Sequence, residues 1–163
     1  EVVRDINKFS NNVMAQQLFL TLSWHPQGVG RFEASRDLVT RWWRSRIGAD
    51  ELVLDNGSGL SRHERVTASG LARLLTYAWA SPYASELMSS LPLAGQDGTL
   101  RRSTSQAVAH LKTGSLRDVV GVAGFVDGAR AERWVVVAIV NHPQAQAARG
   151  ALEALVEWVG RQP

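Results

Sequence analysis

The sequence contains no cysteine and only two lysines among its 163 residues. Without cysteine the chain cannot form disulfides, thiolate metal sites or a cysteine nucleophile. The 18 basic residues are therefore almost all arginines, whose guanidinium groups stay charged at any usable pH. Arginine thus accounts for a pI near 9.9 although the net charge is only +3.

Long apolar runs and runs of like charge are also missing. The longest apolar run, Trp134–Val140, has the length of a buried strand and is too short to span a bilayer. Arg41, Arg44 and Arg46 share one predicted helix, and a solvated face explains them better than a nucleic-acid interface. The four histidines lack metal-ligand spacing, so we assign them no functional role. The ordinary composition predicts one globular domain over residues 1–163.

The first part of the chain has helical periodicity. Apolar residues at four-residue spacing predict a helix over Val13–Ser23, followed by a loop over His25–Gly30. Ser35 is predicted to cap a helix that ends at Ile47, and Thr67 to cap a later one. These patterns predict a helical lobe.

The last third of the chain has the composition of strands. Val119–Val126 and Arg133–Val140 are β-branched and apolar, and Asp127–Arg130 between them predicts a hairpin. A further strand is expected to begin near Lys112, and Ala145–Val159 to form a closing helix. The sequence therefore predicts an α+β fold, in which a helical lobe is followed by about three antiparallel strands and a C-terminal helix.

Two short motifs carry residues that can bind a carboxylate and relay a proton. Lys112 and Thr113 together offer a charge and a hydroxyl to a carboxylate, and Gly114 gives a ligand close access to the backbone. Ser10 offers a hydroxyl that relays a proton, and Asn12 an amide that both donates and accepts. Taken alone, the motif at Lys112 is explained by a solvated strand start, and the motif at Ser10 by a helix cap. Their order along the chain matches the Ser-x-Asn and Lys-Thr-Gly signatures of penicillin-interacting enzymes.

Longer stretches resemble one protein family. They resemble the class C low-molecular-mass penicillin-binding proteins, which are the D-alanyl-D-alanine carboxypeptidase/endopeptidases of bacterial cell walls. The similar stretches are Arg4–Ala15, Asp55–Arg62, Leu93–Leu100, His110–Leu116 and Gly121–Phe125. The resemblance implies a serine β-lactamase/transpeptidase-like fold, a periplasmic or cell-envelope location, and no metal or cofactor. It also implies peptidoglycan peptides and β-lactams as partners, with no nucleic acid.

The same resemblance implies roles for individual residues. Ser10 would hydrogen-bond Lys112 and pass a proton to the leaving amine. Asn12 would hold the substrate amide, Lys112 would keep the local potential positive, and Thr113 would bind the terminal carboxylate. The backbone N–H of Ser115, directly after Gly114, would form half of the oxyanion hole.

The family's Ser-x-x-Lys motif, which carries the nucleophile, does not occur in this sequence. Three residues before Lys8 and Lys112 stand Asp5 and Ala109. The chain is therefore interpreted as a C-terminal portion that is inactive alone, with the nucleophile upstream. Its last strand is expected to have a free edge, which predicts a strand-mediated dimer or association with the missing upstream segment. A non-catalytic module that binds D-Ala termini and a serine β-lactamase are the alternatives.

Overall fold

Helices precede the main sheet in a computed structural model, which describes residues 1–48, 51–130 and 132–163. The helices are α1 (Val2–Phe9), α2 (Asn12–Gln27), α3 (Phe32–Arg46), α4 (Ala68–Trp79), α5 (Ala84–Ser90) and α6 (Arg149–Gly160). The strands are β1 (Leu52–Val53), β2 (Arg65–Val66), β3 (Ala109–Leu116), β4 (Val119–Asp127) and β5 (Arg133–Asn141), with 3-10 turns at Gly98–Leu100 and Ala145–Ala148. This order confirms the predicted α+β architecture. Over the described ranges, no helix is long and apolar enough to cross a membrane.

The main sheet has three antiparallel strands in the order β3-β4-β5. The register places Lys112 opposite Ala123 on β4. Asp127 faces Arg133 across the predicted hairpin and accepts hydrogen bonds from its guanidinium at 2.5 and 3.0 Å. The sheet thus has β3 and β5 as its two edges, and β3 carries the Lys-Thr-Gly motif.

Each face of the sheet is covered by different helices because side chains alternate along a strand. Leu111 and Val136 pack with Val156 of α6 on one face. On the other face, Phe125 packs with Leu75 of α4 and Leu91. The two layers bury both faces of β4 and leave the edge of β3 facing a cleft.

Two local predictions are wrong. Helix α2 continues through Gln27 with Gly28 as its C-cap, so His25 lies in its last turn, and only residues 28–30 of the predicted loop lie outside a helix. Helix α3 begins at Phe32, and Ser35 lies buried inside it, where its hydroxyl donates to Ser23 Oγ at 2.9 Å. Ser35 therefore joins two helices instead of capping one, a contact that local sequence does not reveal. The β1–β2 pair was not predicted either, because strands of two residues carry no periodicity.

Candidate active site

Ser10 lies at the junction of two helices in an unusual backbone conformation. It follows the last residue of α1 and has φ 50° and ψ 47°, the only positive φ outside glycine in the part of the chain that the structure describes. The next residue, Asn11, caps α2 by accepting a hydrogen bond from Met14 N at 3.1 Å. A left-handed conformation at a non-glycine residue costs free energy and is common at functional sites. The bend turns the Ser10 hydroxyl towards the sheet.

Lys112 reaches this hydroxyl from the edge strand β3. Its Nζ donates to Ser10 Oγ at 2.5 Å and to the carbonyl oxygen of Thr113 at 3.1 Å. The two motifs are 102 residues apart in sequence, and this hydrogen bond joins them directly. The predicted contact between Ser10 and Lys112 is therefore present in the structure.

Burial lowers the pKa of Lys112 from its ordinary value of 10.5. The cause is desolvation, which disfavours the charged form of an amine. A lysine whose charge is only partly hydrated exerts a stronger field on its neighbours than a solvated one. The ammonium is thus placed to act on the Ser10 hydroxyl and on any anion in the cleft.

All six residues predicted for the site line one cleft of about 860 Å³: Ser10, Asn12, Lys112, Thr113, Gly114 and Ser115. A Cβ at Gly114 would have no neighbour within 4 Å, so open space lies directly over the backbone there. The Ser115 hydroxyl accepts a hydrogen bond from Arg149 Nη2 at 2.8 Å, which ties the end of β3 to α6.

The opposite wall of the cleft is the turn that follows β1. Ser58 lines it, but its hydroxyl donates to Asn56 Oδ1 at 2.7 Å and accepts from Leu60 N at 3.2 Å. Ser58 therefore stabilises the turn. Arg62 holds the turn to the β3–β4 connection through Asp118 at 2.7 Å, and its hydrogen bond lowers the pKa of that carboxyl.

An ion pair between buried Lys8 and partly exposed Asp97 was missed by sequence reasoning. Lys8 is 6% exposed, and its Nζ lies 2.5 Å from Asp97 Oδ2. Burial would raise the pKa of Asp97, but the hydrogen bonds from Lys8 and from Leu93 N outweigh it and the net shift is downward. The scarcity of lysine was the one available signal, since the sequence has only two.

The fold is that of penicillin-binding proteins and β-lactamase-like proteins. The structure resembles penicillin binding protein 4 (dacB) from Haemophilus influenzae in complex with a β-lactam, with a TM-score of 0.77 and 26% identity over 96% of this chain and 41% of that one. It also shares its fold with the predatory endopeptidase Bd3459 of Bdellovibrio bacteriovorus, with a TM-score of 0.74 and 18% identity over 99% of this chain and 44% of that one.

Sequence comparison gives the family. The model of the D-Ala-D-Ala carboxypeptidase 3 (S13) family matches residues 1–162, and the chain belongs to this family of low-molecular-mass penicillin-binding proteins. The D-alanyl-D-alanine carboxypeptidase of Actinomadura sp. (strain R39) is 34% identical over 99% of this chain and 32% of its own length. The carboxypeptidase DacB of Haemophilus influenzae is 30% identical over 86% of this chain and 31% of its own. The chain spans about a third of these relatives, and the resemblance found in the sequence is confirmed.

Proposed function

We propose that this chain supplies two walls of the active site of a serine-type D-Ala-D-Ala carboxypeptidase/endopeptidase that acts on peptidoglycan stem peptides in the periplasm or cell envelope. The observation that carries the proposal is the hydrogen bond from Lys112 Nζ to Ser10 Oγ at 2.5 Å, in a cleft that also contains Asn12, Thr113 and Ser115. Family membership supports the same reaction.

Ser10 acts in proton transfer. When Lys112 donates to Ser10 Oγ, the proton of the serine hydroxyl is left free to point into the cleft. The nucleophilic serine forms an ester bond with the carbonyl carbon of the penultimate D-Ala, its hydroxyl proton passes to the lysine of the Ser-x-x-Lys motif, and the amide C–N bond breaks. Ser10 passes its proton to the leaving amine and is reprotonated by that lysine, so the net transfer is one proton from the nucleophile to the amine. Water afterwards cleaves the ester.

The other residues position the substrate. Thr113 binds the terminal carboxylate while the Lys112 charge stabilises it, and Asn12 holds the substrate amide. The Ser115 N–H stabilises the oxyanion together with the N–H of the nucleophile, and loss of one such donor costs about 10²–10³ in kcat. The open space at Gly114 lets the substrate backbone lie along β3.

We further propose that the nucleophile lies on a Ser-x-x-Lys helix outside these 163 residues, because no such tetrapeptide occurs among them. The free edge of β5 is a place where an added segment could pair. In the described residues β5 pairs only with β4, and Trp134 on it is 42% exposed. Catalytic groups that act as a unit lose nearly all activity when one is missing, so this chain alone is inactive.

The test is intact mass spectrometry after incubation with benzylpenicillin. We expect no adduct on this chain alone and one adduct on the longer polypeptide that carries a Ser-x-x-Lys helix. In that polypeptide, Lys112→Ala and Ser10→Ala should slow acylation by at least about a hundredfold, and Thr76→Val on α4, outside the cleft, serves as the control. Stoichiometric acylation of this chain alone would overturn the proposal.

Two alternatives give different results with the same proteins. A non-catalytic module that recognises D-Ala termini would let this chain alone bind a D-Ala-D-Ala peptide tightly in a calorimetric titration. A serine β-lactamase would turn over benzylpenicillin rapidly and leave D-Ala-D-Ala peptides intact. The proposed carboxypeptidase releases D-Ala and stays acylated by the drug.

A further inference from the structure

A second threonine stands beside the one that the proposed function assigns to the substrate carboxylate. Thr99 Oγ1 lies 2.8 Å from Thr113 Oγ1, and both residues line the cleft. Thr99 belongs to a 3-10 turn, Gly98–Leu100, and comes 14 residues before its partner in sequence. The hydrogen bond therefore links a turn outside the sheet to the edge strand at the Lys-Thr-Gly motif.

The numbers of protons and lone pairs on the two hydroxyls show what this pair does. A hydroxyl has one proton to donate and two lone pairs to accept with. When Thr113 donates its proton to an anion, its oxygen is left with lone pairs and no further proton. Thr99 is the neighbour in place to donate to that oxygen, and a chain of such hydrogen bonds strengthens each member. Thr99 thereby orients the Thr113 proton towards the cleft.

The turn that carries Thr99 is held rigidly against α1. Asp97 accepts hydrogen bonds from Lys8 Nζ at 2.5 Å and from Leu93 N at 2.8 Å. Gly98 has φ +53°, and a Cβ there would lie 2.4 Å from the carbonyl oxygen of Lys8, so only glycine fits. The ion pair between Lys8 and Asp97 thus also fixes the position of Thr99.

We infer that Thr99 is a positioning residue for carboxylate recognition, which orients the Thr113 hydroxyl towards the terminal carboxylate of the substrate. This inference rests on the proposed function, because it assumes that Thr113 binds that carboxylate. It adds a residue outside the Ser-x-Asn and Lys-Thr-Gly motifs to the site. Thr99 itself needs no contact with the substrate.

The test compares benzylpenicillin with its methyl ester in acylation of the longer, nucleophile-bearing polypeptide. The ester keeps the β-lactam ring but lacks the negative charge of the carboxylate. Thr99→Val removes the hydroxyl with little change of shape and should slow acylation by benzylpenicillin about tenfold, while acylation by the ester changes less than twofold. Thr99→Ser, which keeps the hydroxyl, should restore the rate with benzylpenicillin.

Controls separate this inference from the proposed function. Thr76→Val removes a similarly exposed hydroxyl outside the cleft and should change neither rate, and Thr113→Val defines the largest loss expected. If wild type does not prefer benzylpenicillin to the ester and Thr113→Val has no effect, the proposed role of Thr113 is wrong. If that preference exists but Thr99→Val slows both compounds equally, or neither, the role of Thr99 is overturned.

Discussion

Removing the carboxylate of Asp97 should destabilise the protein strongly, because the ammonium of Lys8 would remain buried without its partner. The Lys8 side chain is 7% exposed and that of Asp97 is 43% exposed. Breaking a fully buried ion pair costs about 3–5 kcal/mol, and the partial exposure of Asp97 places the expected cost of Asp97→Ala at the lower end, about 3 kcal/mol. The loss also includes the hydrogen bond from Leu93 N.

A double-mutant cycle separates the cost of leaving Lys8 unpaired from the cost of the lost hydrogen bond. Lys8→Met keeps the length of the side chain and removes the buried charge, so Asp97→Ala should cost only about 1 kcal/mol in that background, the value of the remaining hydrogen bond. The coupling between the two positions should therefore be about 2 kcal/mol. Asp37→Ala on α3, an exposed residue without an ion pair in the described ranges, should change stability by less than about 0.5 kcal/mol.

Urea unfolding followed by tryptophan fluorescence measures these differences. With a slope of about 2 kcal/mol per molar urea, Asp97→Ala should lower the midpoint by about 1.5 M in wild type and by about 0.5 M in the Lys8→Met background. Equal midpoint shifts in the two backgrounds would refute the reasoning, because the cost would then not come from an unpaired lysine.

The pH dependence follows from the lowered pKa of Asp97. Its carboxyl has an ordinary pKa of 3.8 and a lower one in the folded state, so the unfolded chain binds the proton more readily. The stabilisation is complete above pH 3.8 and is lost as the pH falls through the folded-state pKa. Asp97→Ala should lose less stability than wild type over that acidic window, as measured by thermal melting at stepped pH.

Three further predictions concern the site and the sheet. Lys112→Met should be more stable than wild type at pH 7, and the difference in stability should shrink as the pH rises towards 10.5, because only wild type regains stability when the buried amine becomes neutral. Melting temperatures at stepped pH measure this difference, and a difference that stays constant with pH would contradict the prediction. Gly124→Ala should destabilise the protein by more than about 2 kcal/mol, because its Cβ would lie 2.1 Å from His110 O. Gly114→Ala, whose Cβ would have no neighbour within 4 Å, should unfold like wild type. Equal urea midpoints for the two variants would show that β3 and β4 adjust freely. Light scattering should detect self-association of this chain through the free edge of β5. Val137→Pro should abolish this self-association without changing the circular dichroism signal of the helices. A wild-type chain that stays monomeric at every concentration would refute pairing between copies.

The sequence alone determined the order of elements and the identity of the candidate site. β-branched runs predicted β4 and β5 because their pattern is local, and Thr67 is confirmed as a helix cap, accepting from Gly70 N at 3.0 Å. The Ser-x-Asn and Lys-Thr-Gly motifs were recognisable because each is a run of a few adjacent residues. Local patterns of this kind need no knowledge of which distant residues meet.

Only the tertiary structure decided which distant side chains become partners. It buried Ser35 against α2, where sequence predicted a cap, and it paired Lys8 with Asp97 across 89 residues. It also placed Thr99 beside Thr113, although each threonine is unremarkable in its own segment. Burial and hydrogen bonding between elements depend on how helices and strands pack, and that packing gives Asp97 a charged partner and Thr99 its place in the cleft.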